Sequence, residues 1–118
     1  GKDKDEIKDY IENEFEYDLE ESIESIKKWY SFDVSCQSSV PQAIRAFYES
    51  EDFEDAIRKA ISIGGDSDTI ACITGGIAEA FYKVIPENIK IAVFNTLDED
   101  MKKMTFKFYQ HFIRDIKI

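Results

Sequence analysis

The sequence predicts an all-α fold. Apolar residues recur at intervals of three and four along most of the chain. Helix-start and helix-stop residues bracket those periodic stretches: Ser or Asp with Glu or Gln three residues on, the pair Gly64-Gly65, and the prolines Pro41 and Pro86. No stretch of strand length alternates apolar and polar side chains convincingly. No internal repeat or low-complexity linker interrupts the pattern, so residues 1–118 read as one helical segment.

Ile7, Tyr10, Ile11 and Phe15 mark the first helix, with charged residues between them. Asp18 followed by Glu21 has the form of a capping box, opening a second helix that carries Leu19, Ile23 and Ile26. Trp29 to Ser38 shows no period and reads as a loop whose aromatics Trp29, Tyr30 and Phe32 cover the core. Ser39 with Gln42 repeats the capping pattern, and Pro41 suits the first turn of a helix burying Ala43, Ile44 and Phe47. Ser50 is the expected cap of the next helix, whose stripe is Phe53, Ala56, Ile57, Ala60 and Ile61. Gly64 and Gly65 end it.

The segment from Ile70 to Phe81 is apolar nearly all round and rich in small residues. Such a helix belongs at the centre of a bundle, with neighbours packed close and with Ile73, Ile77 and Phe81 largely buried. Lys83 to Ile85 ends it. Pro86 opens a helix with Ile89, Val93 and Phe94, Asn95 to Asp98 make a turn, and Met101, Met104, Phe108, Phe112 and Ile113 define a last amphipathic helix.

The net charge of −10 argues against a nucleic-acid backbone or an anionic membrane as partner. Acidic residues are densest between Asp3 and Glu24 and read as solvated helix faces. Cys36 and Cys72 lack any CxxC spacing, and no signal peptide or membrane-length apolar run is visible. Both are expected to be free thiols acting as small core residues in a cytoplasmic protein. His111 is the single histidine, which makes a zinc site improbable, and it is assigned no chemistry.

The stretch that organises the chain is Gly64-Gly65-Asp66-Ser67-Asp68-Thr69. The glycines let the backbone turn with positive φ. Asp66, Asp68 and Thr69 can bring three oxygens to one point at the start of the next helix, the donor type that a hard cation such as Mg²⁺ takes. A helix N-terminus repels a cation, so the two carboxylates must outweigh the dipole. The same residues also read as a glycine C-cap followed by an Asp N-cap, and spacing alone leaves both readings open.

The surrounding motifs come in one order: Ser35-Cys36-Gln37-Ser38-Ser39-Val40-Pro41-Gln42-Ala43-Ile44, Phe53-Glu54-Asp55-Ala56-Ile57, the Gly64 to Thr69 block, then Ile73-Thr74-Gly75-Gly76-Ile77-Ala78-Glu79-Ala80. From about Tyr17 to about Pro86 this closely resembles the C-terminal part of the ADP-ribosylglycohydrolase family, which includes the dinitrogenase-reductase-activating glycohydrolases. The resemblance implies an all-helical bundle with a binuclear Mg²⁺ site that cleaves the glycosidic bond between ADP-ribose and an acceptor. It also implies that Asp66, Asp68 and Thr69 are the C-terminal metal ligands. It adds a second role for Trp29, Tyr30 and Phe32, contact with an adenine ring. Members of that family are more than twice this long, and this sequence begins Gly1-Lys2 without an initiating Met. The expectation is therefore a fragment, a processed product or a truncated homologue.

Other motifs fail on spacing. The third EF-hand position is Ile70 after Asp66 and Asp68, and Lys102 after Asp98 and Asp100. There is no Gly-rich phosphate loop with a lysine and no nucleophile elbow. Within the family pattern, the chain has no Asp-Asp dipeptide to match the N-terminal metal motif, no matching upstream glutamate, and no glycine-rich loops for ADP-ribose. It also carries Ser38 and Lys83 where glycine is the commoner residue. Two hypotheses follow. The chain contributes half of a Mg²⁺ hydrolase site, is inactive alone, and needs its own N-terminal portion or a second chain to act on an ADP-ribosylated acceptor or ADP-ribose-containing molecule. Alternatively it is a non-catalytic truncated homologue or helical interaction module. Two carboxylates held close without a counter-ion repel, so one of them should titrate high or the loop should loosen.

Overall fold

Helical periodicity becomes helix throughout the computed structural model, which describes residues 1–113 as seven helices with no strand among them. In chain order they are α1 (Lys4–Phe15), α2 (Ile23–Ile26), α3 (Cys36–Glu49), α4 (Phe53–Ser62), α5 (Ser67–Tyr82), α6 (Glu87–Thr96) and α7 (Glu99–Phe112). They fall into two units, Gly1–Ile85 and Pro86–Ile118.

In the first unit α3, α4 and α5 pack on one another, and α2 leans on α3. Ile23, Ile26, Ala43, Ala46, Ala60, Ile63 and Ile70 form the core, with Tyr30, Ala71 and Ile73 against it. Small side chains let the helices approach. A methyl group on Gly75 would lie 3.1 Å from Ile57 Cδ1, so α4 crosses α5 where α5 has no side chain. The innermost line of α5 is Ile70, Thr74 and Ala78, all buried. Ile73, Ile77 and Phe81 are only half-buried, one helical position off the expected line. The polar Thr74 belongs inside because its hydroxyl donates to the Ala43 carbonyl on α3 at 3.0 Å.

Several helix starts differ from the sequence reading. Asp18 accepts from the Glu20 N–H in a local turn, and α2 instead opens at Ser22, whose hydroxyl accepts from the Ser25 N–H. Leu19 is buried outside any helix. α3 begins at Cys36, three residues before Ser39, because Asp33 turns the chain early by accepting from the Ser35 N–H at 2.7 Å. Those Ser35 contacts, with the Ser38 hydroxyl, hold the Asp33 carboxylate below its ordinary range. Pro41 then sits inside the helix. Ser50 ends α3 by donating to the Phe47 carbonyl, and Asp52 caps α4. The true capping box is Asp3 with Glu6.

Two further expectations are corrected. Trp29 and Phe32 are exposed, and of that trio Tyr30 alone packs on the core. Cys36 and Cys72 are free thiols as expected, yet both are exposed rather than core residues, since each lies on the outer face of its helix.

α1 is tied down by two lysines. The Lys4 ammonium donates to the carbonyls of Phe47 (3.0 Å), Tyr48 (3.3 Å) and Ser50 and to the Tyr82 hydroxyl (2.7 Å). It therefore satisfies the free carbonyls at the end of α3 while lying over the rings of Phe47, Phe81 and Tyr82. Lys8 pairs with Glu12 and Glu20, and the Glu20 contact most of all raises its pKa. Lys4→Met should lower stability by about 2–3 kcal/mol, because charged hydrogen bonds and ring contacts are lost together. Lys2→Met removes only an exposed pair with Glu6 at 3.9 Å and should change stability by less than about 0.5 kcal/mol. Urea unfolding of the two variants checks the contrast, and equal midpoints would remove Lys4 from its role as clamp.

In the second unit α7 starts at Asp98, which accepts from the Met101 N–H at 2.8 Å. Neither α6 nor α7 has a buried residue, and Met101, Met104, Phe108 and Phe112 are exposed. His111 is exposed and meets Phe112 edge-on.

Candidate metal centre

Gly64 (φ 83°) and Gly65 (φ 61°) take the chain out of α4 through two left-handed residues, and Asp66 then stands at the N-cap position of α5. The turn rests on Tyr30. Its ring lies so close under Gly65 that a Cβ there would come within 2.5 Å of Tyr30 Cε1 and 3.2 Å of the Ser31 carbonyl. Burial, with the charges of Asp33 and Asp66, pushes the Tyr30 phenol above its ordinary pKa. Its hydroxyl is buried without a hydrogen-bond partner. Tyr30 is the residue of this loop that spacing did not find, because its contact with Gly65 spans two helices of sequence.

Asp66 departs from the other acidic helix starts. Asp3, Asp52 and Asp98 each accept from a backbone N–H three residues on, whereas Asp66 (ψ 61°) makes no such bond. Its carboxyl instead meets that of Asp68. The Asp66 side chain, with the N–H groups of Thr69 and of Asp68 itself, holds the Asp68 carboxylate below the usual range. The helix N-terminus thus offsets part of the repulsion between the two acids, and Asp68 moves down rather than up. Asp66 is half-buried, and Asp68 and Thr69 are exposed.

Asp66 and Asp68 lie beside each other, and Thr69 follows in the first turn of α5. As donors they are all hard oxygens, which suits Mg²⁺ in kind. In number they fall short of a full octahedron, and among the described residues no group of three or more His, Cys, Asp or Glu side chains could hold a metal.

The family model described as ADP-ribosylglycohydrolase matches residues 4–115. The chain belongs to that family. An uncharacterized protein from Archaeoglobus fulgidus is 32% identical over 85 residues, which is 72% of this chain and 27% of that protein. The chain thus spans about a quarter of the length of the relative it matches. No solved structure matches it. The all-helical architecture agrees with the family, and Lys83, where the family resemblance favours glycine, is indeed left-handed at φ 59°. Ser38 lies inside α3 and needs no such freedom. Among the described residues no helix is long and apolar enough to cross a membrane.

Proposed function

We propose that this glycohydrolase-family chain supplies the C-terminal half of a binuclear Mg²⁺ site for cleaving ADP-ribosyl glycosidic bonds, with Asp66, Asp68 and Thr69 as its ligands. One observation carries the reading: Asp66 occupies a cap position and withholds its carboxylate from the cap, keeping it beside Asp68. A cap that is not used as one leaves the metal role as the reason for an acid there. Asp66 and Asp68 supply the negative charge that overcomes the helix dipole, and the Thr69 hydroxyl supplies a neutral oxygen. The chemistry that Mg²⁺ adds in such a site is activation of a water and stabilisation of charge at the ribosyl transition state. The remaining ligands come from the protein's N-terminal portion or from a second chain. The substrate is an ADP-ribosylated acceptor or an ADP-ribose-containing small molecule, and the compartment is the cytoplasm.

The test is Mg²⁺ titration calorimetry with ADP-ribose release from a modified acceptor, run on the 118-residue chain alone and with the N-terminal portion supplied. Alone, the chain should bind Mg²⁺ weakly and turn nothing over. With the missing portion, tight binding and Mg²⁺-dependent release should appear together. Robust turnover by the chain alone would overturn the half-site. The second reading, a non-catalytic interaction module, is favoured by the exposed Met101, Met104, Phe108 and Phe112 on α7. It predicts no activity under either condition.

A further inference from the structure

The Lys4 ammonium sits in a socket that other elements build. Five oxygens accept from it: the carbonyls of Phe47 (3.0 Å), Tyr48 (3.3 Å) and Ser50, the Ser50 hydroxyl (3.3 Å) and the Tyr82 hydroxyl (2.7 Å). Three rings lie beside it, with centroids 4.9 Å (Phe47), 5.7 Å (Phe81) and 5.1 Å (Tyr82) from Nζ. Phe47, Tyr48 and Ser50 belong to the end of α3, and Phe81 and Tyr82 to the end of α5. These groups also hold one another. The Tyr82 hydroxyl donates to the Ser50 carbonyl at 2.8 Å, the Ser50 hydroxyl donates to the Phe47 carbonyl at 2.6 Å, and the Phe47 ring meets Phe81 edge-on at 5.2 Å. The socket is therefore organised by contacts that do not involve its occupant.

The occupant identifies the ligand class. The carbonyls are the free acceptors of a helix C-terminus, which carries negative partial charge. Aromatic rings beside them attract the same sign of ligand. An ammonium fans three donors from one nitrogen and so reaches oxygens of two helices, whereas a quaternary ammonium has no donor and a guanidinium spreads its donors in a plane. The helix that delivers Lys4 is held lightly. The central core is built from α2 to α5, and the one buried residue of α1 is Lys8. Tyr10 and Phe15 on α1 are exposed. Further ties of α1 are polar: Lys8 with Glu20, the Tyr48 hydroxyl donating to Asp5 at 2.7 Å, and the Leu19 N–H donating to Glu12 at 2.9 Å. An element held in this way opens more readily than the core behind it, and its charged contacts weaken with salt.

We infer that the socket at the ends of α3 and α5 is a binding site for a primary alkylammonium, with Lys4 as its tethered occupant, and that a ligand of this class enters when α1 lifts. This rests on the socket and not on the metal reading, so either can fail without the other.

The probe is n-butylammonium, which is the lysine side chain without its backbone. Lys4→Ala vacates the socket, and butylammonium chloride should then raise the urea midpoint saturably, recovering at least half of what the substitution lost. Sodium chloride and tetramethylammonium chloride at the same concentration should not, the second having the charge for the rings and no N–H for the carbonyls. Lys2→Ala, which removes only the exposed pair with Glu6, should respond to the three salts alike. Adding Tyr82→Phe to Lys4→Ala should weaken butylammonium about threefold to tenfold. Lysine blocked at both ends distinguishes the source of the ligand: binding equal to butylammonium assigns it to a peptide side chain, and binding at least about tenfold weaker assigns it to a free amine. The parent chain supplies a readout that does not depend on the folding of any variant. Butylammonium should speed hydrogen exchange of the α1 amides at least about threefold over sodium chloride, with exchange in α3 and α5 unchanged. An equal response to butylammonium and tetramethylammonium, or α1 amides that exchange no faster with butylammonium than with sodium chloride, would overturn the inference.

Discussion

Asp68→Ala is expected to abolish ADP-ribosyl hydrolysis in a protein that carries both halves of the proposed site. The Asp68 carboxylate is held below its usual range by the Asp66 side chain and by the N–H groups that open α5. Its removal deletes a ligand and a negative charge from a place where the helix end already disfavours a cation. Losing a ligand or one of its supporting partners costs at least about 10–100-fold in metal affinity or activity, and here both carboxylates are needed to offset the dipole. Asp66→Ala should reduce activity severely, since it removes the other carboxylate. Ser67→Ala should stay within about twofold of the parent rate, because no ligand role falls on the residue between the two acids. Release of ADP-ribose at saturating Mg²⁺ separates the three. Full activity of the Asp68 variant would remove this loop from the metal.

The turn into α5 was more legible than the helix boundaries around it. The order Gly-Gly-Asp-Ser-Asp-Thr determines its own local geometry: two left-handed glycines, then a helix start with acids at its first turn. The support from Tyr30, two helices earlier in the chain, was not legible in it. Cap positions were less legible, because several side chains compete for the same N–H groups within a few residues. Asp52 displaces Ser50, since a carboxylate two residues later satisfies the start of α4, and α3 starts after Ser35, following the Asp33 turn, with no side-chain cap at all. The inner face of α5 was misread for another reason. Bulk suggested Ile73, Ile77 and Phe81, but where α3 and α4 both press against one helix the small and hydrogen-bonded residues Thr74 and Ala78 take the tightest line. Why Asp66 withholds its carboxylate from the cap is also absent from the spacing, which reads the same for a cap and for a ligand.

Gly65→Ala should be among the most damaging single-methyl additions to the chain, at about 2–4 kcal/mol, with two separable causes. The first is conformational: φ at 61° costs an L-residue about 1–2 kcal/mol relative to glycine. The second is steric. The new methyl group would meet Tyr30 Cε1 at 2.5 Å and the Ser31 carbonyl at 3.2 Å, and Tyr30 is braced against the core and cannot swing away freely. Gly64→Ala isolates the first cause, because Gly64 has φ 83° and open space where its Cβ would be, so about 1–2 kcal/mol is expected. Gly76→Ala supplies the opposite sign: it is helical with nothing within 4 Å of the added carbon, and should stabilise by about 0.8–1 kcal/mol. Denaturant midpoints should therefore fall in the order Gly76→Ala, parent, Gly64→Ala, Gly65→Ala. If the Gly64 and Gly65 variants unfold together, Tyr30 does not support the turn. If Gly65→Ala is the less stable of the two, Tyr30 supports the turn that leads into Asp66 and Asp68, and the Gly65 variant should then lose Mg²⁺ affinity in the reconstituted protein before it loses its fold.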